Sequence, residues 1–190
     1  MKTDTTVATG ALVLHICAFG LYEWNLIVGD ARPNAASWAI WGFITILNFT
    51  SYRAMSRDWV KSILPTVGSL LCILTFVIAL VRGRFATPTV YDLSVMTIGL
   101  CAALVWWWTR RASIAQILLQ IGIAIGFIPT FGTVWVDPTS EPAACWLLWA
   151  IAFSLQTLVV LMRWQGQKTD LLYPVNCTGL HLAVGILALR

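Results

Sequence analysis

Apolar residues fall along this chain in blocks parted by short polar breaks. Seven blocks stand out, at approximately 7–29, 35–55, 60–81, 89–108, 113–135, 142–162 and 172–189. Each is long enough to cross the roughly 30 Å of hydrocarbon in a bilayer, for which about 20 apolar residues suffice as a helix. Helix is the form such runs must take, because backbone facing lipid has to satisfy its own hydrogen bonds. The alternating segments of a membrane β-barrel do not occur. Connections between blocks are short and leave no room for a soluble domain. The first block follows a polar start, "MKTDTT", and is longer than the apolar core of a signal peptide, so it is read as a retained span. The expected fold class is an all-α integral membrane protein with seven transmembrane helices.

Composition agrees with that reading. Apolar residues make up 59% of the chain and charged ones 11%, whereas a soluble domain carries about 45–50% and about 25%. Such a chain cannot cover itself with polar surface, so lipid rather than water is its solvent. With seven spans, the N-terminus shares a side with the loops after helices two, four and six. That side holds Lys2, Arg53, Arg57, Lys61, Arg110, Arg111, Arg163 and Lys168, and the other holds Arg32, Arg82, Arg84 and Arg190. The excess of basic residues places the N-terminus in the cytoplasm and the C-terminus outside a bacterial inner membrane. The net charge of +4 needs no nucleic acid to explain it, and "WWWTRR" at 106–111 is an interfacial belt with cytoplasmic anchors. Cys17, Cys72, Cys101, Cys145 and Cys177 all fall within spans, form no CxxC pair and are expected to act as small apolar residues.

The chain also repeats itself. "NAASWAIWGFITILN" at 34–48 and "PAACWLLWAIAFSLQ" at 142–156 match Trp38 to Trp146, Trp41 to Trp149 and Asn48 to Gln156, each at an offset of 108. "ILPTVGSLL" in helix three aligns with "LYPVNCTGL" in helix seven, pairing Pro65 with Pro174 and Ser69 with Thr178 at 109. At the end of helix one, Asp30 meets Asp137 at 107, and Trp24 meets Phe131. Helices one, two and three therefore pair with five, six and seven, and helix four stands alone. The expected organisation is a first three-helix repeat over 1–81, a linker helix within 82–111 and a second repeat over 112–190. Three spans end on the side opposite their start. One extra helix returns the chain, so both triplets insert in the same orientation around a pseudo-twofold axis normal to the membrane.

In this 3+1+3 arrangement the chain resembles the SWEET, PQ-loop and PnuC group of solute carriers. Its local wording resembles a group of uncharacterised bacterial seven-helix membrane proteins, through "RPNAASWAIW" at 32–41, "YD" at 91–92, "FIPTF" at 127–131, "DPTSEPAACW" at 137–146 and "LYP" at 172–174. The first resemblance implies two parallel three-helix bundles around a central substrate path. The second carries no function with it.

Residues able to line such a path follow from helical spacing. Trp38, Trp41, Thr45, Asn48 and Tyr52 make one stripe of helix two, and Trp146, Trp149, Phe153, Gln156 and Val160 make the matching stripe of helix six. Facing each other, the stripes would enclose a cavity that is aromatic toward the outside and carries amides about 20 Å deep. Aromatic faces stack on flat or apolar surfaces, and amides bond hydroxyls or ring nitrogens without charge. That suits a small neutral or weakly charged solute, such as a sugar, nucleoside or vitamin-like molecule. The candidate substrate-binding residues are Trp38, Trp41, Asn48, Ser69, Trp146, Trp149, Gln156 and Asn176. The same Trp residues would equally form interfacial belts, and the same amides would equally hold helices together.

His15 and His181 lie about 13 Å from the inner ends of helices one and seven. Two histidines at equal depth could ligate a b-type haem or relay protons, but no other haem cue exists and no cofactor is assigned. Glu23, Asp30, Asp92, Asp137 and Glu141 fall near the outer surface, and Asp58 and Asp170 near the inner one. No carboxylate sits at the midplane, where ion-coupled carriers often keep one. Catalysis is not indicated, since there is no Gly-rich phosphate loop, no HExxH and no Ser-His-Asp set marked by spacing. Lys2, Lys61 and Lys168 lie at membrane edges, so a retinal Schiff base has no lysine. A facilitative carrier is expected. The alternative is a non-transporting membrane subunit, or a lipid- or pigment-binding assembly protein, working as a homo-oligomer or with a membrane partner.

Overall fold

The computed structural model describes residues 3–28, 35–82 and 87–190. All its regular structure is helical: α1 (Thr3–Val28), α2 (Ala35–Ser56), α3 (Trp59–Arg82), α4 (Val90–Thr109), α5 (Ala112–Gly126), α6 (Ile128–Val136), α7 (Ala143–Met162) and α8 (Leu172–Leu187), with 3₁₀ turns at Pro138–Ser140 and Lys168–Leu171. Among the described residues, six stretches are long and apolar enough to cross a membrane: α1, α3, α4, the α5–α6 segment, α7 and Lys168–Leu187. The protein is a multi-pass, all-α membrane protein. Asp30, Arg32, Pro33 and Asn34, which carry part of the repeat and of the "RPNAASWAIW" wording, lie outside the described residues, as do Lys2 and Arg84.

The span expected over 35–55 is α2. It is 22 residues long but is not among the six apolar stretches, because it carries Ser37, Thr45, Asn48, Thr50, Ser51 and Ser56. Several of these face inward, with Asn48, Ser51 and Ser56 buried. The span expected over 113–135 is broken at Phe127. Pro129 has no N–H and its ring opposes the carbonyl one turn back, so a helix cannot run through it unperturbed. Phe127 N instead shares the Ile123 and Ala124 carbonyls, and Phe131 N restarts the ladder on Phe127 O at 3.0 Å.

Tight turns join α2 to α3 and α4 to α5. Arg57 and Arg110 both adopt left-handed backbone, at φ 51° and 57°, and reverse the chain between α2 and α3 and between α4 and α5. Asp58 then caps α3, accepting from Val60 N at 2.9 Å and Lys61 N at 3.3 Å. Thr89 and Asp92 form a reciprocal capping box that starts α4.

Packing is inside-out relative to a water-soluble bundle. Leu70, Leu104, Trp108 and Val136 are exposed, while Asn48, Lys61, Gln116, Gln156 and Asp170 are buried, as expected where lipid covers the outside. α1 and α2 both pack on α3, α7 and the α5–α6 segment both pack on α8, α1 lies on α7, and α2 lies on α5. α4 touches chiefly α5 and α2, burying only Val95, Gly99 and Ala102. One apolar core joins α1, α3 and α7 with Tyr52, Tyr173 and Cys177, and a second joins α4, α5 and α6 with Ile44 and Val184. α2 and α8 contribute to both, so the space between these cores is theirs to line.

Candidate functional site

A cavity of about 210 Å³ lies between the two cores, several times the roughly 30 Å³ that a water occupies in the liquid. Its belt is aromatic. Trp38 neighbours Tyr22 at 5.5 Å between ring centroids, Tyr22 neighbours Trp149 at 5.6 Å, and Trp149 neighbours Trp146 at 5.3 Å. Trp146 meets Phe127 at 5.8 Å, and Phe127 meets Trp41 at 5.6 Å. Trp38 and Trp41 are one turn apart on α2, and all six residues line the cavity. Close approach shapes the belt: a Cβ on Gly126 would lie 2.8 Å from the Trp41 ring, so only glycine there lets Trp41 keep this position.

One end of the cavity carries partly exposed residues: Ser37, Trp38, Thr130 and Glu141. Glu141, in the connection between α6 and α7, accepts a hydrogen bond from Trp146 Nε1 at 3.0 Å. Burial pushes its carboxyl up to about 7, against the pull of that hydrogen bond. The other end is lined by buried residues, among them Asn48, Pro65, Ser69, Tyr173 and Cys177. His15 and His181 lie between the ends, both packed on Phe153, at 5.3 and 4.9 Å. His181 Nδ1 is 2.7 Å from Cys177 O, while both ring nitrogens of His15 and the indole N–H of Trp149 are buried with no protein partner.

The floor is polar. One turn beyond the cavity lining on α2, α3 and α7, and just ahead of α8, stand Tyr52, Lys61, Gln156 and Asp170. Lys61 Nζ pairs with Asp170 Oδ2 at 2.8 Å, with side chains 0% and 2% exposed. Tyr52 donates to Asp170 O at 2.9 Å, and Gln156 Nε2 donates to Lys61 O at 2.5 Å. Tyr52 and Tyr173 close the remaining gap with rings 5.7 Å apart. Farther out, Arg163 Nε bonds Asp58 Oδ2 at 2.7 Å, and Arg163 Nη1 bonds Asp4. Burial raises the Asp58 carboxyl, but the Arg163 guanidinium and the Lys61 and Val60 N–H groups outweigh it and hold it below its ordinary value of 3.8.

Six of the eight expected site residues border this cavity: Trp38, Trp41, Asn48, Ser69, Trp146 and Trp149. Gln156 and Asn176 do not. Gln156 is spent on the floor, where its amide satisfies the Lys61 carbonyl. Asn176 turns to α5, donating to Gln120 O and Oε1 at 3.1 Å each. Asn48 also has an internal duty, because its Oδ1 accepts from Gln116 and Gln120 at 2.8 Å each, and Gln116 in turn accepts from Ser51 at 2.9 Å. Amides on three helices thus satisfy one another, which is the cheaper use of a buried polar group. Helical spacing gives the face of a helix but not which neighbour it meets.

Lys61 stands in the first turn of α3, at the helix end as expected, but it is fully buried against Asp170 and so is not a surface anchor. Its partner was legible in retrospect, since Lys61 and Asp170 stand 109 residues apart, the offset that aligns helices three and seven. Glu141 was also missed as a cavity residue. Its place five residues before Trp146 was the available signal. Among the described residues, no group of three or more His, Cys, Asp or Glu side chains could hold a metal ion. No family model matches the chain, and neither does any curated protein or solved structure.

Proposed function

We propose that the protein is a facilitative carrier of a small neutral or weakly charged solute, which occupies the aromatic cavity between two three-helix bundles. One observation carries this reading: a cavity deep in the protein, partly exposed at one end and sealed at the other by a hydrogen-bonded floor. A carrier caught open to one side has that form, and the floor is then its closed gate. Orientation by basic residues, with Lys61 set aside, makes the open end the outer one.

The helix neighbours support a parallel 3+1+3 organisation. Exchanging α1 with α5–α6, α2 with α7 and α3 with α8 turns α1–α3 into α5–α8, α2–α3 into α7–α8, and α1–α7 into α2–α5, each an observed contact. The floor supports it at one pair, since Lys61 bonds Asp170, its counterpart at the offset of 109, as groups beside a twofold axis would. The exposed apolar face of α4 is what a lipid-facing wall requires, so it does not favour a non-transporting subunit.

Flux into proteoliposomes tests the reading. Purified protein should accelerate uptake of at least one member of a radiolabelled panel of sugars, nucleosides, vitamins, amino acids and amines, and Ser69→Phe, which fills the cavity, should abolish it. A folded, reconstituted protein that moves none of the panel would refute the carrier.

A further inference from the structure

Belt and carboxylate together narrow the class of solute, an inference that rests on the cavity being the binding site of the proposed carrier. Six aromatic residues, Tyr22, Trp38, Trp41, Phe127, Trp146 and Trp149, line one space. Aromatic faces carry negative quadrupole potential and attract cations. Among the described residues, Glu141 is the only Asp, Glu, Lys or Arg that lines that space, and it places a carboxyl at the accessible end. An anion would meet repulsion from both. A polyhydroxylated solute would need many hydrogen-bond partners, yet Gln156 and Asn176 are engaged elsewhere and Asn48 Oδ1 already accepts twice. Among the described residues, the fully buried polar atoms of the lining that have no protein partner are the Trp149 N–H and the two His15 nitrogens, on residues 3% and 2% exposed. Those groups fit a ligand with one or two polar atoms beyond its head.

We infer that the cavity binds a small organic monocation, an amine or quaternary ammonium compound, with its charged head inside the aromatic belt beside Glu141 and its polar end toward Trp149 and His15. Glu141 supplies the counter-charge, and the rings replace the water that the head group leaves behind.

Protonation of Glu141 then competes with the ligand. The groups facing it are Tyr22 on α1, Cys145 and Trp146 on α7, with His15 and His181 deeper in the same cavity. Because burial raises this carboxyl toward neutral pH, affinity for a permanently charged ligand should be highest at alkaline pH and fall as the pH drops and the carboxyl takes up its proton.

Calorimetry on the purified full chain, with choline and phenyltrimethylammonium as probes, tests this against their uncharged isosteres, in which a quaternary carbon replaces the nitrogen. At pH 8 at least one cation should bind about tenfold or more tighter than its isostere, from cation–π attraction and the carboxylate together. Glu141→Gln keeps the acceptor for Trp146 and should erase most of that preference and its pH dependence, with a thermal melt in detergent matching the parent's as proof of folding. Equal binding of cation and isostere overturns the cation inference and leaves the carrier standing. Failure of both cations to bind overturns it too. So does a pH dependence that survives Glu141→Gln, because the histidines would then be its source. Cation binding without cation flux in proteoliposomes upholds this inference and refutes the carrier.

Discussion

Replacing Lys61 by Met should destabilise the protein more than almost any other single change, although it puts an apolar residue into a membrane protein. The ion pair with Asp170 is 2.8 Å long and almost completely buried. Its attraction is about 6 kcal/mol at an effective dielectric of about 20, and desolvating the two ions costs several kcal/mol each, so the intact pair contributes little net. Removing one partner is different. The Asp170 carboxylate stays buried, and its Oδ1 already lacks a partner, so the cost should be about 3–5 kcal/mol. For a chain of this size that is a fall of roughly 6–20 °C in Tm. The assay is thermal unfolding in detergent at one scan rate, followed by tryptophan fluorescence. Lys61→Met combined with Asp170→Leu removes both charges and should recover most of the loss. A single variant within about 1 kcal/mol of the parent, or a double variant no better than the single, would refute the assignment of a desolvated pair at the floor.

Three further outcomes follow from the packing. Asn48→Ala strips Gln116 and Gln120 of their shared acceptor and should cost about 1–3 kcal/mol for each amide left unpaired, measured by the same melt in the absence of any ligand. Gly185→Ala should destabilise by about 1–3 kcal/mol, since its Cβ would sit 2.8 Å from Leu147 Cδ2 and 3.3 Å from Leu147 N; Gly179→Ala, with nothing within 4 Å, should be neutral or stabilising by up to about 1 kcal/mol, and the two melts together check the α7–α8 contact. Because Asp58 is held below 3.8, its contribution to stability is present above that pH and lost as the pH falls beneath it; Arg163→Gln should flatten this acid limb in a pH series of melts.

Much of this protein is written in one dimension. Lipid imposes a simple rule, an apolar run of fixed length folded as a helix, and that rule alone places α1, α3, α4, α7 and α8 within a few residues. The span expected over 113–135 is unbroken in the sequence, and the break at Phe127 appears only once the backbone has to choose partners on both sides of Pro129. Six lining residues were also readable, because large aromatics spaced three and four apart on two helices mark one face of each. What the sequence could not fix was how polar groups would be shared. Asn48, Gln120 and Asn176 could serve a solute or one another, and only the approach of α2, α5 and α8 decides for one another. Lys61 looks like an edge residue in any count along the chain, and only the arrival of Asp170 from more than a hundred residues away makes its burial affordable. Glu141 is a loop carboxylate by position and a cavity wall by geometry. Burial and pairing are properties of neighbours in space, so the solvent that surrounds the chain was legible in its composition, while the chemistry of the cavity waited on which helices meet.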